Sequence, residues 1–280
     1  MMSAMLRDPA ALVLRIYCGL VLAFLSIPIV VAIGVAFGKD KIARFPPTGL
    51  SLHWFGAALS DPTFMGALFN SLQLAALTTA LTILLGLPAS VALVGRHFAG
   101  RAALEIFLLS PLTLPGVLFG ISMLFFLGAT GFGLTWWGLL VAHVVIATPY
   151  VLRTTLAVYR GLDRGLEESA LVLGASPGQT FWHVTLPLLR PGLAAGGLFA
   201  FLTSFDNVPV SIFLTTAHNN TLPVTIMSYL VSQDWTATSP QVASTMLVER
   251  THGWSHEGLY GFARVMSADG GQAAINIALR

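Results

Sequence analysis

The chain has 280 residues, 55% of them hydrophobic and only 9% charged, with a mean hydropathy of +0.80. A soluble domain carries roughly 25% charged residues, so this composition excludes an ordinary soluble protein and points to a polytopic membrane protein. The net charge of +2 gives no footprint for nucleic acid, and the single Cys18 excludes an intrachain disulfide. The only lysines, Lys39 and Lys41, lie outside any G-x-x-x-x-G-K-[ST] context, so the chain has no P-loop. If ATP drives it, the ATPase is another polypeptide.

Hydrophobic runs set the order of the spans. After a short mixed segment with Arg7 and Asp8, a first span is predicted over residues 12–37. Its apolar core exceeds the ~7–15 residues of a secretory signal, so an uncleaved helix is expected. Residues 38–65 read as a loop with Arg44, Pro46, Pro47 and Trp54. A second span is predicted over 67–94 and a third over 102–127, joined by a tight turn. Pro111 and Pro115 fall inside the third, where packed neighbours can tolerate a kink. A Gly-rich turn near 130–133 leads to Trp136 and Trp137, which suit a membrane interface. The fourth span ends near Val151, with Pro149 close to its inner end, and the fifth covers 191–214. Gly116 with Gly120, and Gly192 with Gly196, have the spacing that lets helices approach closely, here read as packing within the bundle.

Under this topology Arg7, Arg15, Arg96, Arg101, Arg153, Arg160, Arg164 and Arg190 fall on one side. Lys39, Lys41 and Arg44 fall on the other. Positive residues concentrate in cytoplasmic loops, so the amino terminus and residues 160–190 are expected in the cytoplasm.

That interval holds the longest polar stretch of the second half, EESALVLGASPGQTFWHVTLPLLRPG from Glu167. Leu162, Leu166, Ala170 and Leu173 form an apolar stripe at helical spacing. Gly174 stands where a helix ends in the left-handed conformation. Ser176, Pro177 and Gln179 restart the chain as N-cap, first helical residue and partner in a capping box. Leu186-Pro187 is expected to break the second helix. An ordinary loop between two spans would carry some of these features. The spacing goes further. Glu168, Ser169, Ala170, three residues, Gly174, nine residues, Val184, one residue, Leu186 and Pro187 resemble the EAA loop of ABC importer permeases. The family pattern is E-A-A, three residues, G, nine residues, I, one residue, L-P, and Ser169 is the one small-for-small departure in its first triplet.

Asp206 lies inside the fifth span, in FLTSFDNVPVSIFLTT. A carboxylate there costs roughly 2.5–3.5 kcal/mol on insertion scales and calls for a partner or a cavity. It has two readings: a structural role beside Ser204 or a helix break near Pro209, or a place on a translocation path. With Leu222-Pro223-Val224 downstream, the stretch resembles permeases of the spermidine/putrescine group, which read S-F-D-E here. Asn207 replaces the second acid. The resemblance covers about residues 12–248.

His143 reads as a packed, hydrogen-bonded histidine. His252 and His256, four apart, lack the third ligand a metal site needs, so no metal and no catalytic residue is expected. The carboxyl end departs from the family pattern. A sixth span should start near Pro240, but Glu249, Arg250 and His252 interrupt it after about eight apolar residues, or ~12 Å of helix against a ~30 Å core. Residues 249–280 are therefore read as an atypical tail, frame-altered or disordered, after a permease domain of residues 1–248.

The expected architecture is an all-α transmembrane bundle with five clear spans and a truncated sixth. The resemblance implies an inner-membrane importer subunit working by alternating access. It implies two permease subunits, ABC ATPase subunits that hold the ATP and Mg, and an extracytoplasmic solute-binding protein, with no cofactor in this chain. It gives Glu167, Glu168, Ser169, Ala170, Gly174, Ala175, Ser176, Pro177, Leu186 and Pro187 to the docking loop. Ser204, Asp206 and Asn207 would line the path of a polyamine-like solute. The alternatives are an ion-coupled transporter or channel, which would need paired ionisable residues in its spans, or a non-functional remnant.

Overall fold

The computed structural model describes residues 9–40, 45–95 and 98–232. The described residues are helical, with one isolated bridge between Gly38 and Leu50. The chain divides into two units, one of Thr63–Thr225 and one of Met1–Pro62 with Ile226–Arg280. In the second unit lie α1 (Pro9–Ala36) and the short α2 (His53–Ser60), which falls within the segment read as a loop. α1 is apolar on all sides, and only 11% of its most apolar window is buried. There Tyr229 donates to the Asp61 carboxylate at 2.7 Å.

The larger unit holds most of α3 (Pro62–Gly95), and α4 (Arg101–Leu109), α5 (Gly116–Ala129), α6 (Trp136–Arg160), α7 (Gly165–Val172), α8 (Pro177–Thr180), α9 (Leu186–Phe205) and α10 (Val208–Leu214). α11 (Leu222–Ser232) begins in it. Thr135 caps α6 by accepting from Gly138 N–H at 3.1 Å. Small residues let α9 lie against α6. A Cβ on Gly196 would fall 2.7 Å from the Val151 Cα, and one on Gly192 would fall 2.9 Å from Val158. Gly116 and Gly120 bring α5 onto Pro209, Val210 and Phe213 in the same way. Both glycine pairs thus serve packing inside the bundle. Some hydroxyls on the spans close onto their own helices, as buried Ser90 does on the Gly86 carbonyl at 2.7 Å. Where lipid replaces water, such polar groups need internal partners.

Among the described residues four helices are long and apolar enough to cross a membrane, or five if a bent pair counts as one span. That pair corrects the third expected span. Arg101–Thr113 and Gly116–Ala129 meet at 108°, across a 3-10 turn at Ser110–Thr113. Pro111 and Pro115 both lack a donor, and together they end one helix and start another. The fourth span runs to Arg160, with Pro149 in its interior. The fifth differs most. Leu186-Pro187 does not break the chain, because Pro177–Phe205 runs as one 29-residue helix. A π-turn at Phe181–Thr185 makes this possible, with Leu186 N–H bonded to the Phe181 carbonyl. The extra residue in that turn makes room for the Pro187 ring, which would otherwise meet the preceding turn. The expected sixth span at 240–248 and the tail at 249–280 lie outside the described residues.

A candidate docking corner and a break in the fifth span

The segment between α6 and α9 is a tight corner. Gly165 N–H bonds to the Asp163 carboxylate at 2.9 Å and starts α7, with Glu167 and Glu168 in the first turn. Acidic side chains there complement the helix dipole. The helix ends at Gly174, φ +92°. Gly174 N–H bonds to the Leu171 carbonyl and Ala175 N–H to the Ala170 carbonyl, both at 3.0 Å. These two bonds form a Schellman motif, which needs a residue comfortable at positive φ. α8 then opens with the expected capping box. Ser176 Oγ accepts from Gln179 N–H at 3.3 Å, and Gln179 Oε1 accepts from Ser176 N–H at 2.8 Å.

The corner is braced from within. Glu167 Oε1 accepts from Tyr159 Oη at 3.1 Å and from Thr185 Oγ1 at 2.5 Å. One carboxylate thus joins the end of α6, the start of α7 and the π-turn. Arg164 donates to the Val94 carbonyl at 2.9 Å, tying the corner to the end of α3. Arg160 pairs with Glu105 of α4 at 2.6 Å. Below lies a core of Leu93, Val94, Leu152, Leu156, Tyr159 and Leu189. Several large apolar side chains of the corner are exposed. Val172 and Leu173 are 87% and 88% exposed, Trp182 is 65% exposed, and Leu171 and Leu166 are also uncovered. Glu168, Ser169, Gly174, Ser176 and Pro177 are exposed, Ala170 and Ala175 half-buried, and Leu186 and Pro187 half-buried where the helix enters the bundle.

At its far end the Pro177–Phe205 helix stops at Asp206, whose N–H still bonds to the Leu202 carbonyl at 3.0 Å. Asn207 is extended, with ψ 98°, and caps α10 by accepting from Val210 N–H at 2.9 Å. Asp206 is half-buried and Asn207 buried. Ser204 sits in the core, bonded to His143 Nδ1 at 2.8 Å and to Thr78 Oγ1 at 3.3 Å. A shallow groove of about 340 Å³ is lined by Asn70, Gln73, Leu77, Trp136 and Trp137, and Asp206 is not among its walls. Among the described residues no cluster of His, Cys, Asp or Glu could hold a metal ion.

A family model described as the binding-protein-dependent transport system inner membrane component matches residues 82–248. The chain belongs to this family. It is the membrane permease subunit of an ABC importer and not an enzyme. The permease is 33% identical over 213 residues to the putrescine transport system permease protein PotI of Escherichia coli, covering 73% of this chain and 75% of that one. It is 31% identical over 228 residues to the spermidine/putrescine transport system permease protein PotC of Haemophilus influenzae, covering 81% and 88%. The trehalose transport system permease protein SugB of Mycobacterium tuberculosis is 28% identical over 214 residues, covering 74% and 76%. Its fold matches a chain of a bacterial ABC transporter involved in the import of the acidic polysaccharide alginate. There the TM-score is 0.62 at 15% identity, covering 88% and 94%.

The family assignment favours the permease over the ion-coupled alternative. Sequence reasoning did not find the bracing by Tyr159, Arg164 and Thr185. Each is an ordinary residue, and only the closed corner brings Thr185 to Glu167. Trp182 carried a signal that was passed over, an aromatic beside polar neighbours in a short helix.

Proposed function

We propose that this permease carries a polyamine-like cation and is driven through its corner by an ABC ATPase that holds ATP and Mg. The observation that carries this reading is the exposure of Val172, Leu173 and Trp182 on a braced corner, at one end of an unbroken helix that ends at Asp206. An apolar knob suits a groove on another protein, since large exposed apolar patches mark interaction sites. A displacement of the corner would pass along the Pro177–Phe205 helix to the break. Asp206 would then line or gate the path together with Asn207, and a carboxylate favours a cation there. The relatives named for putrescine and spermidine support a polyamine; the one named for trehalose makes a neutral solute the competing outcome.

In this reading the amino terminus and the corner are cytoplasmic, as the arginine distribution favours. A second permease subunit and an extracytoplasmic solute-binding protein complete the importer, and no cofactor sits in this chain. The test is co-purification with P-loop ATPases of the host cell, with Leu173→Glu in parallel, followed by labelled putrescine uptake. Recovery of the ATPase by the wild type and loss with Leu173→Glu is expected. A well-folded wild type that brings down no ATPase would sink the docking reading. Uptake of trehalose but not putrescine would sink the polyamine.

A further inference from the structure

We infer that His143 is the positioning residue that fixes the break between α9 and α10. The imidazole lies fully buried on α6. Its Nδ1 meets Ser204 Oγ at 2.8 Å, in the last turn of α9. Its Nε2 meets Ser211 Oγ at 3.1 Å, inside α10. One rigid ring on a neighbouring helix therefore holds both sides of the interruption at Asp206–Asn207. In a neutral imidazole one ring nitrogen donates and the other accepts, and a serine hydroxyl can do either, so both bonds form in either tautomer. Ser204 also bonds to Thr78 Oγ1 at 3.3 Å. The chain Ser211–His143–Ser204–Thr78 spans α10, α6, α9 and α3.

A helix interrupted at Asn207 and Pro209 has lost ladder bonds that would fix the angle between its halves. α10 has only seven residues, too few for its own ladder to hold it. The ring supplies the missing constraint, and in a dry interior its partners have no water to turn to. Ser204 thus acts through the clamp, while Asp206, two residues on, takes its position from it. That Asp206 stands on the solute path rests on the preceding proposal; the clamp does not.

The test is hydrogen exchange of the full-length permease in lipid nanodiscs, with turnover per folded transporter measured beside it. Ser211→Ala removes one bond and leaves the ring. It should speed exchange at 206–214 by roughly three- to tenfold, as the loss of one such bond allows. Peptides of the corner should not change. Ser204→Ala should act alike, and His143→Ala should match the double serine variant because all work through one ring. Turnover should fall by a similar factor in each, with His143→Gln partly restoring it. Unchanged exchange at 206–214 in Ser211→Ala would overturn the clamp. So would an unchanged turnover per folded transporter in both serine variants. Exchange is read on the permease alone and does not depend on the proposed function; turnover is read as ATP hydrolysis with the partner ATPase present and rests on that proposal, so failure of one is told apart from failure of the other.

Discussion

The two ends of the Pro177–Phe205 helix are held by different kinds of bond. At the corner, the Schellman motif and the capping box join residues three to five apart, and their polar atoms are largely exposed. At the break, His143 reaches Ser204 and Ser211 across 61 and 68 residues, all of them buried. The turn of the corner is locally encoded, though Arg164 ties it to Val94 seventy positions earlier, and it exposes apolar side chains. The break is encoded by the packing of the bundle. A lever needs both: one end that keeps its shape outside the bundle, and one whose shape the bundle decides.

The largest effect should come where α9 meets α6, because that contact carries the lever. Gly196→Leu would drive a side chain into the Val151 backbone. Overpacking costs typically 1–3 kcal/mol where neighbours can shift, and here the neighbour is a helix backbone. Most of the folded protein should disappear from a size-exclusion profile in detergent. A monodisperse peak at wild-type yield would mean that the contact does not hold the lever.

Next in size is Gly174→Val. The left-handed conformation at φ +92° costs an L-residue roughly 1–2 kcal/mol, and a β-branched one more. The bundle does not depend on this residue, so folded yield should stay near wild type. ATPase co-purification should fall by about tenfold, the factor equal to ~1.4 kcal/mol. Loss of both together would show that the corner is not an independent unit.

These two cases show what the sequence made legible. Gly174, Ser176 and Gln179 could be read because their roles depend on residues within one turn. The glycine pairs could be read as packing because spacing alone places both on one face. The 108° bend at 110–115 was signalled by Pro111 and Pro115 only as a kink. Its size depends on what α5 packs against, and Gly116 and Gly120 meet α10 about ninety positions later. Pro187 read as a break because a proline forbids the regular ladder. The π-turn that admits it is an extra residue in hydrogen-bond register, which composition does not reveal. The role of His143 needed two serines from another helix pair. Its burial could be expected, but its partners could not be named.

A smaller effect should follow at Glu167. Tyr159 and Thr185 are 7% and 3% exposed, so removing their common acceptor leaves two sheltered hydroxyls without it. Glu167→Gln keeps an acceptor but loses its charge, at a cost of about 1 kcal/mol. ATP hydrolysis coupled to uptake should drop roughly fivefold. Adding Thr185→Val should cost less than it does beside an intact Glu167, since both substitutions act on the same bond. Additive losses would mean that Glu167 does not brace the corner through Thr185.

The smallest expected difference is the most discriminating. Ser176 and Asn207 both cap helices, accepting from the backbone N–H three residues on. Replacing such a cap with Ala costs ~0.5–2 kcal/mol. Ser176 is exposed, so water can take over the freed N–H, and Ser176→Ala should sit at the low end. Asn207 is 8% exposed, beside a short helix already interrupted, and Asn207→Ala should sit at the high end. Hydrogen exchange near Gln179 should then speed by about threefold, and exchange near Val210 by about tenfold or more. If the two caps prove equal, water reaches the break as readily as the corner. The Asp206 end would then be a wetted opening in the bundle, and its position would owe less to His143 than to solvent. If they differ as expected, the break is dry in its resting form, and Asp206 needs a movement of the helix to meet a solute in water.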